Sequence, residues 1–387
     1  MCIQFQPFNV ERNGRDISMT ENEMIVSAKN KDTKEVRDKI LACLYGGALG
    51  DALGYIIEFD SWDRIRKIYG KDGIQELEKT GQKAIFSDDT QMTLFTAEGI
   101  GLGYLWETNG GTEYTAEYYI YHAYLVWLQT QGYSSKSFWD EKSILKQRPQ
   151  MHKRRAPGNT CLSALASGEM GTIEQPLNNS KGCGGVMRTA PCGFIRTRES
   201  GTPLFGESAL EMGAKAGAIT HGHSMGWIPA GMLADIVDRC LYGNYTSLQE
   251  IIEDSLDATE ALYGRFKSFD KYKDMILRAI SLAVENKANG LDDSAVDEAS
   301  IYSLGEGWVG DEALAIAVYA VLRWDSDMKK CLRAAVNHRG DSDSTGAIAG
   351  NILGAYLGLD AIPKDWLADL EQTDVMEKLV DMMCSAF

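Results

Sequence analysis

Several things are scarce in this chain. Basic residues are outnumbered: 39 lysines and arginines against 55 acidic residues leave a formal net charge of −16 over 387 residues. A surface of that sign repels nucleic-acid phosphates and anionic lipid, so non-specific grip on either is not expected. A small anionic ligand responds to local rather than net charge and stays open. No apolar run reaches membrane-spanning length, and residues 1–13 lack the charged-then-apolar plan of a signal peptide. A cytoplasmic protein away from membranes is the expectation. The 8 cysteines are scattered, with no C-x-x-C pair. That suits reduced core thiols better than a disulfide framework or a zinc site. Alternating strand patterns with hairpin turns are missing as well. What remains is an ordinary globular composition, 44% hydrophobic and 24% charged, long enough to bury a sizeable core. The expected fold is all-α.

Glycine is plentiful, and its placement is periodic. Gly346, Gly350, Gly354 and Gly358 recur every fourth residue, so one helical face is glycine over about four turns. Each costs roughly 1 kcal/mol of helix propensity against alanine, which makes sense where another backbone packs closely on that face. Residues 40–54 repeat the device with Gly46, Gly50 and Gly54. The two striped helices, at opposite ends of the chain, are expected to pack on each other. Between them, Ser87-Asp88-Asp89-Thr90 opens a helix, and residues 115–129 are aromatic and helical in pattern. Residues 132–180 are polar and irregular, with Lys153-Arg154-Arg155 expected in a solvated loop. Residues 178–188 form a glycine-rich turn of the kind that lets backbone amides approach phosphate oxygens, without a P-loop ending or a dinucleotide G-x-G-x-x-G. Thr220-His221-Gly222-His223 precedes a further helix, and its two histidines point apart. Gly307-Trp308-Val309-Gly310 opens a helix that is apolar all round from 313 to 322 and therefore buried.

The chemistry lies in the acidic clusters. Asp341 and Asp343, amid Ser342, Ser344 and Thr345, stand at the mouth of the second striped helix. Alone they read as helix caps, as do Asp88 and Asp89 beside Ser87. Brought together, four carboxylates repel and need a compensating cation. Oxygen-only surroundings, with Ser87 and Ser344 beside them and no cysteine expected nearby, suit Mg²⁺ or Mn²⁺, and two ions match that much charge. The Asp-x-Asp-Ser-Thr string also resembles the nucleophile motif of haloacid-dehalogenase-type phosphatases. There it ends a strand early in a Rossmann-like domain; here it follows a helical stretch, and 44 residues remain after Asp343. That fold has no room.

Five motifs in order carry a closer likeness: Gly50-Asp51-Ala52-Leu53-Gly54 with Glu58, Ser87-Asp88-Asp89-Thr90, Lys181-Gly182-Cys183-Gly184-Gly185-Val186-Met187-Arg188, Thr220-His221-Gly222-His223, and Gly340-Asp341-Ser342-Asp343-Ser344. Over residues 38–360 the chain resembles the ADP-ribosylglycohydrolase family, which includes dinitrogenase reductase-activating glycohydrolase. The resemblance implies a single large orthogonal helical domain at 39–387, two Mg²⁺ or Mn²⁺ ions, and removal of ADP-ribose from modified protein side chains, arginine above all. By position it implies metal ligands at Ser87, Asp88, Asp89, Asp341, Asp343 and Ser344. Glu58 matches a mobile glutamate that acts at the reacting centre, with Asp88 and Asp89 as the other candidate catalytic carboxylates. Gly182, Cys183, Gly184 and Gly185 match a phosphate-holding loop, and His221 a residue beside the phosphates or ribose. Trp308 is a candidate for stacking on adenine. Cys183 stands where many relatives have asparagine, and Ser87 and Ser344 where many have threonine; serine keeps the oxygen ligand.

The alternative is a non-catalytic protein of the same fold that recognises an ADP-ribosylated partner or occludes a toxin. Residues 1–38 fall outside the resemblance. Ile3, Phe5, Pro7 and Phe8, then Met24, Ile25 and Val26, form apolar clusters there. They suggest an arm that docks on an ADP-ribosyltransferase toxin, with the whole as its immunity protein.

Overall fold

The computed structural model describes residues 10–12, 15–17, 21–194, 204–290 and 294–384, with side chains from residue 33 onward. Two three-residue strands, β1 (Val10–Arg12) and β2 (Arg15–Ile17), pair antiparallel. Everything larger is helical, as expected: α1 (Glu21–Tyr55), α2 (Trp62–Tyr69), α3 (Asp88–Thr108), α4 (Ala116–Thr130), α5 (Asn159–Ala166), α6 (Ala209–Ala218), α7 (Ser224–Tyr242), α8 (Leu248–Tyr263), α9 (Phe269–Ala288), α10 (Ser294–Tyr302), α11 (Gly310–Arg323), α12 (Met328–Val336), α13 (Ser342–Leu357), α14 (Lys364–Asp369) and α15 (Thr373–Cys384). Helix α1 runs unbroken across residue 38, where the sequence pattern changes.

The two glycine-striped helices do pack on each other, and this contact is the spine of the fold. A methyl group on Gly46 would strike the Gly350 carbonyl, one on Gly50 the Gly346 carbonyl, and one on Gly354 the Ala42 carbonyl. Asn351 Nδ2 adds a bond to Cys43 O at 2.8 Å. Backbones this close leave no room for a Cβ, which explains the tolerated cost in helix propensity. Gly54, at the end of α1, faces the backbone of Ser342 and Asp343, so the C-terminal end of α1 meets the N-terminal end of α13. The last glycine of the stripe has another role. The helix ends at Leu357, and Gly358 caps it at φ 79°.

Around this pair lies one contiguous apolar cluster running from Ile40 to Met383. Helix α11, apolar on every face, is buried along its length as its composition requires. The free thiols of Cys43, Cys161, Cys192, Cys240 and Cys331 lie inside the core. No helix among the described residues is long and apolar enough to cross a membrane.

Of the 153–155 trio, Lys153 and Arg154 are exposed as expected, and Arg155 departs from the solvated loop. Arg155 is buried, paired with Glu371 and donating to the Phe86 carbonyl at 2.7 Å, while its own carbonyl accepts from Asp88 N–H at 3.1 Å. Composition signalled three charges. It did not signal that Glu371, 216 residues away, would hold one of them inside.

Candidate active site

Three helix ends converge on one cleft: the C-terminal end of α1, the N-terminal end of α3 and the N-terminal end of α13. Ser87 begins α3, its side chain accepting from Asp89 N–H at 3.1 Å. Asp88 and Asp89 then occupy the first turn, where the helix dipole favours negative charge. Asp341 caps α13 with Asp343 in its first turn, and Asp341 N–H donates to Glu306 O at 2.8 Å. Gly340, at φ 128°, makes the turn that precedes them. The two acidic clusters meet directly: Ser344 Oγ donates to Asp89 Oδ1 at 2.6 Å, across 255 residues of chain.

The cleft has a volume of about 610 Å³. Its lining brings together an acidic wall, Glu58, Asp88, Asp89, Asp341 and Ser344, and a glycine wall, Gly182, Cys183, Gly184 and His221, which touch through Cys183 and Asp341; Arg154 lines it as well. Trp308 stands at the rim, 40% exposed, with its ring centroid 6.1 Å from that of Phe59 and nearly parallel to it. Ser87, Asp343 and Gly185 sit beneath the lining rather than in it. Asp343 still belongs to the cluster, because ligand atoms of Glu58, Asp341 and Asp343 all lie within 4.8 Å of one another.

The glycine loop is held by the segment opening α11. Cys183 N–H donates to Trp308 O at 3.1 Å, and Gly310 N–H to Lys181 O at 2.9 Å. Trp308 and the loop, 125 residues apart in sequence numbering at Cys183, are thus joined by a β-bridge between Gly182 and Val309. The Cys183 thiol reaches Asp341 Oδ2 and lies 3.5 Å from Ser344 Oγ, so it touches the acidic side as well. His223 does not enter the cleft; it caps α7 by accepting from Met225 N–H at 3.0 Å.

Electrostatically the acidic wall is strained. Burial, then the charges of Asp341 and Asp88, push the Glu58 carboxyl up to about 9. Burial raises Asp88, Asp89 and Asp343 well above the usual carboxylate range, with neighbouring carboxylates adding to it. Asp341 is raised too, chiefly by burial. Glu58 Oε2 is buried with no hydrogen-bond partner.

The ADP-ribosylglycohydrolase family model matches residues 32–387. The chain belongs to the ADP-ribosylglycohydrolase family. It is 24% identical to the human ADP-ribosylhydrolase ARH3 over 297 residues, covering 70% of this chain and 80% of that protein. It is 51% identical over 43 residues to the ADP-ribosyl-[dinitrogen reductase] glycohydrolase of Rhodospirillum rubrum, 11% of this chain and 15% of that one. Among solved structures, an ADP-ribosylglycohydrolase-related protein complex superposes with a TM-score of 0.57 at 22% identity, covering 91% of this chain and 99% of that one. At that identity the likeness establishes the fold.

For this member of the family, the donors present fit divalent cations. They are carboxylates and hydroxyls, suited to hard ions, but the surroundings are not free of cysteine as expected, because the loop brings the Cys183 thiol against Asp341 and Ser344. The cluster is also incomplete by itself, since mutual repulsion and the orphaned Glu58 oxygen are what a bound cation relieves. Two residues were given no role by the sequence reading, although Asp51 stands in one of the quoted motifs. Asp51 is fully buried and binds the start of α3: its carboxylate accepts from Ser87 N–H at 2.8 Å, Thr90 N–H at 2.9 Å and Thr90 Oγ1 at 2.5 Å. Burial pushes it up to about 6 against those bonds. Its signal was available, a lone acid inside an apolar glycine-striped helix. Phe59, 73% exposed beside Glu58, had no such signal.

Proposed function

We propose that the protein hydrolyses the N-glycosidic bond joining ADP-ribose to a protein side chain, with arginine as the linkage and two Mg²⁺ or Mn²⁺ ions as cofactors. The observation that carries this reading is the pairing of an acidic wall with a glycine-amide wall across one cleft. Ser87, Asp88, Asp89, Asp341, Asp343 and Ser344 are the residues that would hold the cations. When bound, these supply the positive charge that orients ribose hydroxyls and polarises a water. The remaining tasks fall to the chain. The amides of Gly182, Cys183 and Gly185 already donate to Ser180 Oγ, Trp308 O and Gly182 O, so in the Gly182–Gly185 loop it is the Gly184 N–H that is offered to a diphosphate oxygen. Glu58, buried at the mouth of the acidic wall, holds or moves a proton at the water or the leaving group. Asp51 keeps the start of α3 in place, and the Trp308 ring offers a face to adenine.

The test is incubation with arginine-, serine- and cysteine-linked ADP-ribose, reading the ADP-ribose released. Release from the arginine conjugate, stopped by a chelator and restored by Mg²⁺ or Mn²⁺, is the expected outcome. Tight binding of the conjugate with no release would instead favour the non-catalytic binding protein. The reading extends to a cytoplasmic immunity protein, with residues 1–38 gripping an ADP-ribosyltransferase toxin. Ile3, Phe5, Pro7 and Phe8 lie outside the described residues, so this part rests on composition. A pull-down of the toxin that is equal with and without that arm would remove it.

A further inference from the structure

Behind the glycine wall lies a cation that the scheme above leaves unused. Arg188 is fully buried, and among the described residues no carboxylate pairs with it. Its Nη1 donates to Cys161 Sγ at 3.2 Å, and its guanidinium lies 4.4 Å from the centroid of the Tyr124 ring. Its Nη2 donates to Ala216 O at 3.2 Å and to Thr220 Oγ1 at 2.7 Å. Thr220 Oγ1 in turn lies 2.8 Å from His221 Nδ1.

The first bond favours one direction for the last without fixing it, since a second lone pair of the hydroxyl remains. A guanidinium only donates, so one lone pair of the threonine hydroxyl is already engaged and its O–H is polarised. The hydroxyl proton goes to the best acceptor in reach, the imidazole Nδ1, in preference to the weaker sulfur of Cys161. A neutral imidazole that accepts at Nδ1 carries its own proton at Nε2. The ring is also held in place. Methyl groups on Gly184, Gly185 and Gly226 would meet its Cε1, Cγ and Cβ, so bare backbone packs against it on several sides. Its Nε2 faces Gly182 and Gly184, on the cleft side.

We propose that Arg188, acting through Thr220, is a positioning residue that fixes His221 as the Nε2–H tautomer, so that the glycine wall presents a neutral N–H donor to a phosphate oxygen. The inference rests on the hydrolase reading for the identity of that anion. Burial first, and then the charge of Arg188, push His221 down to about 3, so the ring stays neutral through the physiological range. The same buried charge, with no counter-ion of its own, favours an anion on the loop in front of it.

The tautomer is read by long-range ¹H–¹⁵N correlation on the labelled full chain, with His221→Gln identifying His221 among the 5 histidines. The expected wild-type pattern has the proton on Nε2. Thr220→Val should lose that preference and weaken ADP-ribose binding by about 10-fold in calorimetry, while Thr220→Ser restores both. A proton on Nδ1 in the wild type overturns the inference, and so does a folded Thr220→Val unchanged in either readout. If the wild type does not bind ADP-ribose at all, the hydrolase reading falls instead, and the tautomer spectrum still decides the role of Arg188.

Discussion

The two walls of the cleft answer opposite electrostatic problems. On the acidic side Glu58, Asp88, Asp89, Asp341 and Asp343 crowd together, their carboxyls raised by burial and by one another. On the glycine side there are amides, a neutral histidine and a buried guanidinium with no carboxylate partner among the described residues. One wall is short of positive charge and the other of negative. Under the proposed function, a ligand with a hydroxylated sugar at one end and a diphosphate at the other, entering with cations, would satisfy both at once. Neither wall makes chemical sense as a self-contained structural cluster.

The sharpest way to break the comparison is to remove charge from the acidic wall alone. Asp343→Ala is expected to lower turnover by more than about 10³-fold and to abolish the heat of Mg²⁺ binding in calorimetry, with cooperative unfolding retained. Full turnover of that variant in excess Mg²⁺ would show that the cluster holds no needed ion. Glu58→Gln keeps the shape of the side chain and should depress turnover about 10²- to 10⁴-fold with Mg²⁺ binding intact. An unchanged rate would reduce Glu58 to a cover over the cleft.

A third change leaves both walls' residues untouched and moves the frame between them. Gly50→Ala puts a methyl group against the Gly346 carbonyl. It should destabilise by about 2–3 kcal/mol, read as a lowered denaturation midpoint, and displace Asp341 and Asp343 with α13. A variant as stable as the wild type would mean that the α1–α13 contact relaxes easily.

The smallest effect serves as a control on buried acids in general. Glu98 is buried outside the cleft, but it accepts from Ser143 Oγ at 2.6 Å, Ile144 N–H at 2.7 Å and Leu145 N–H at 3.0 Å. Burial pushes its carboxyl up to about 7 from an unfolded value near 4.5. A carboxyl raised in the folded state binds its proton more tightly there than in the unfolded chain. Its contribution to stability is therefore full below pH about 4.5 and is lost as pH rises to about 7. At about 1.4 kcal/mol per pH unit, the swing is at most about 3.5 kcal/mol. Melting curves across that window should show the wild type losing stability relative to Glu98→Gln as pH rises. A constant difference would mean that the three donors offset the burial.

Much of this was legible from one dimension because the signals were periodic or chemically costly. Four-residue glycine spacing has few structural explanations, so the α1–α13 contact followed from Gly46, Gly50, Gly346 and Gly350. Paired aspartates at helix starts told where charge concentrates. Arg155 was missed because its partner, Glu371, lies far along the chain. Asp51 was quoted within a motif but given no role, because its carboxylate works on backbone N–H groups of Ser87 and Thr90, and such groups leave no mark in a sequence.

The sequence by itself determined the glycine-striped stretches of α1 and α13, the courses of α4, α7 and α11, and which residue types stand at the mouths of α3 and α13; it did not reveal that α1 begins as early as Glu21. Capping, glycine spacing and apolar periodicity are local, and local rules are written in neighbouring residues. Only the tertiary structure decided that Ser344 bonds to Asp89, that Cys183 reaches Asp341, and that Trp308 pairs with Phe59 over the cleft. It alone decided that Arg188 reaches His221 through Thr220. Each of these joins distant segments whose separation is set by how whole helices pack. That packing depends on the summed shape of the core, which no single motif encodes.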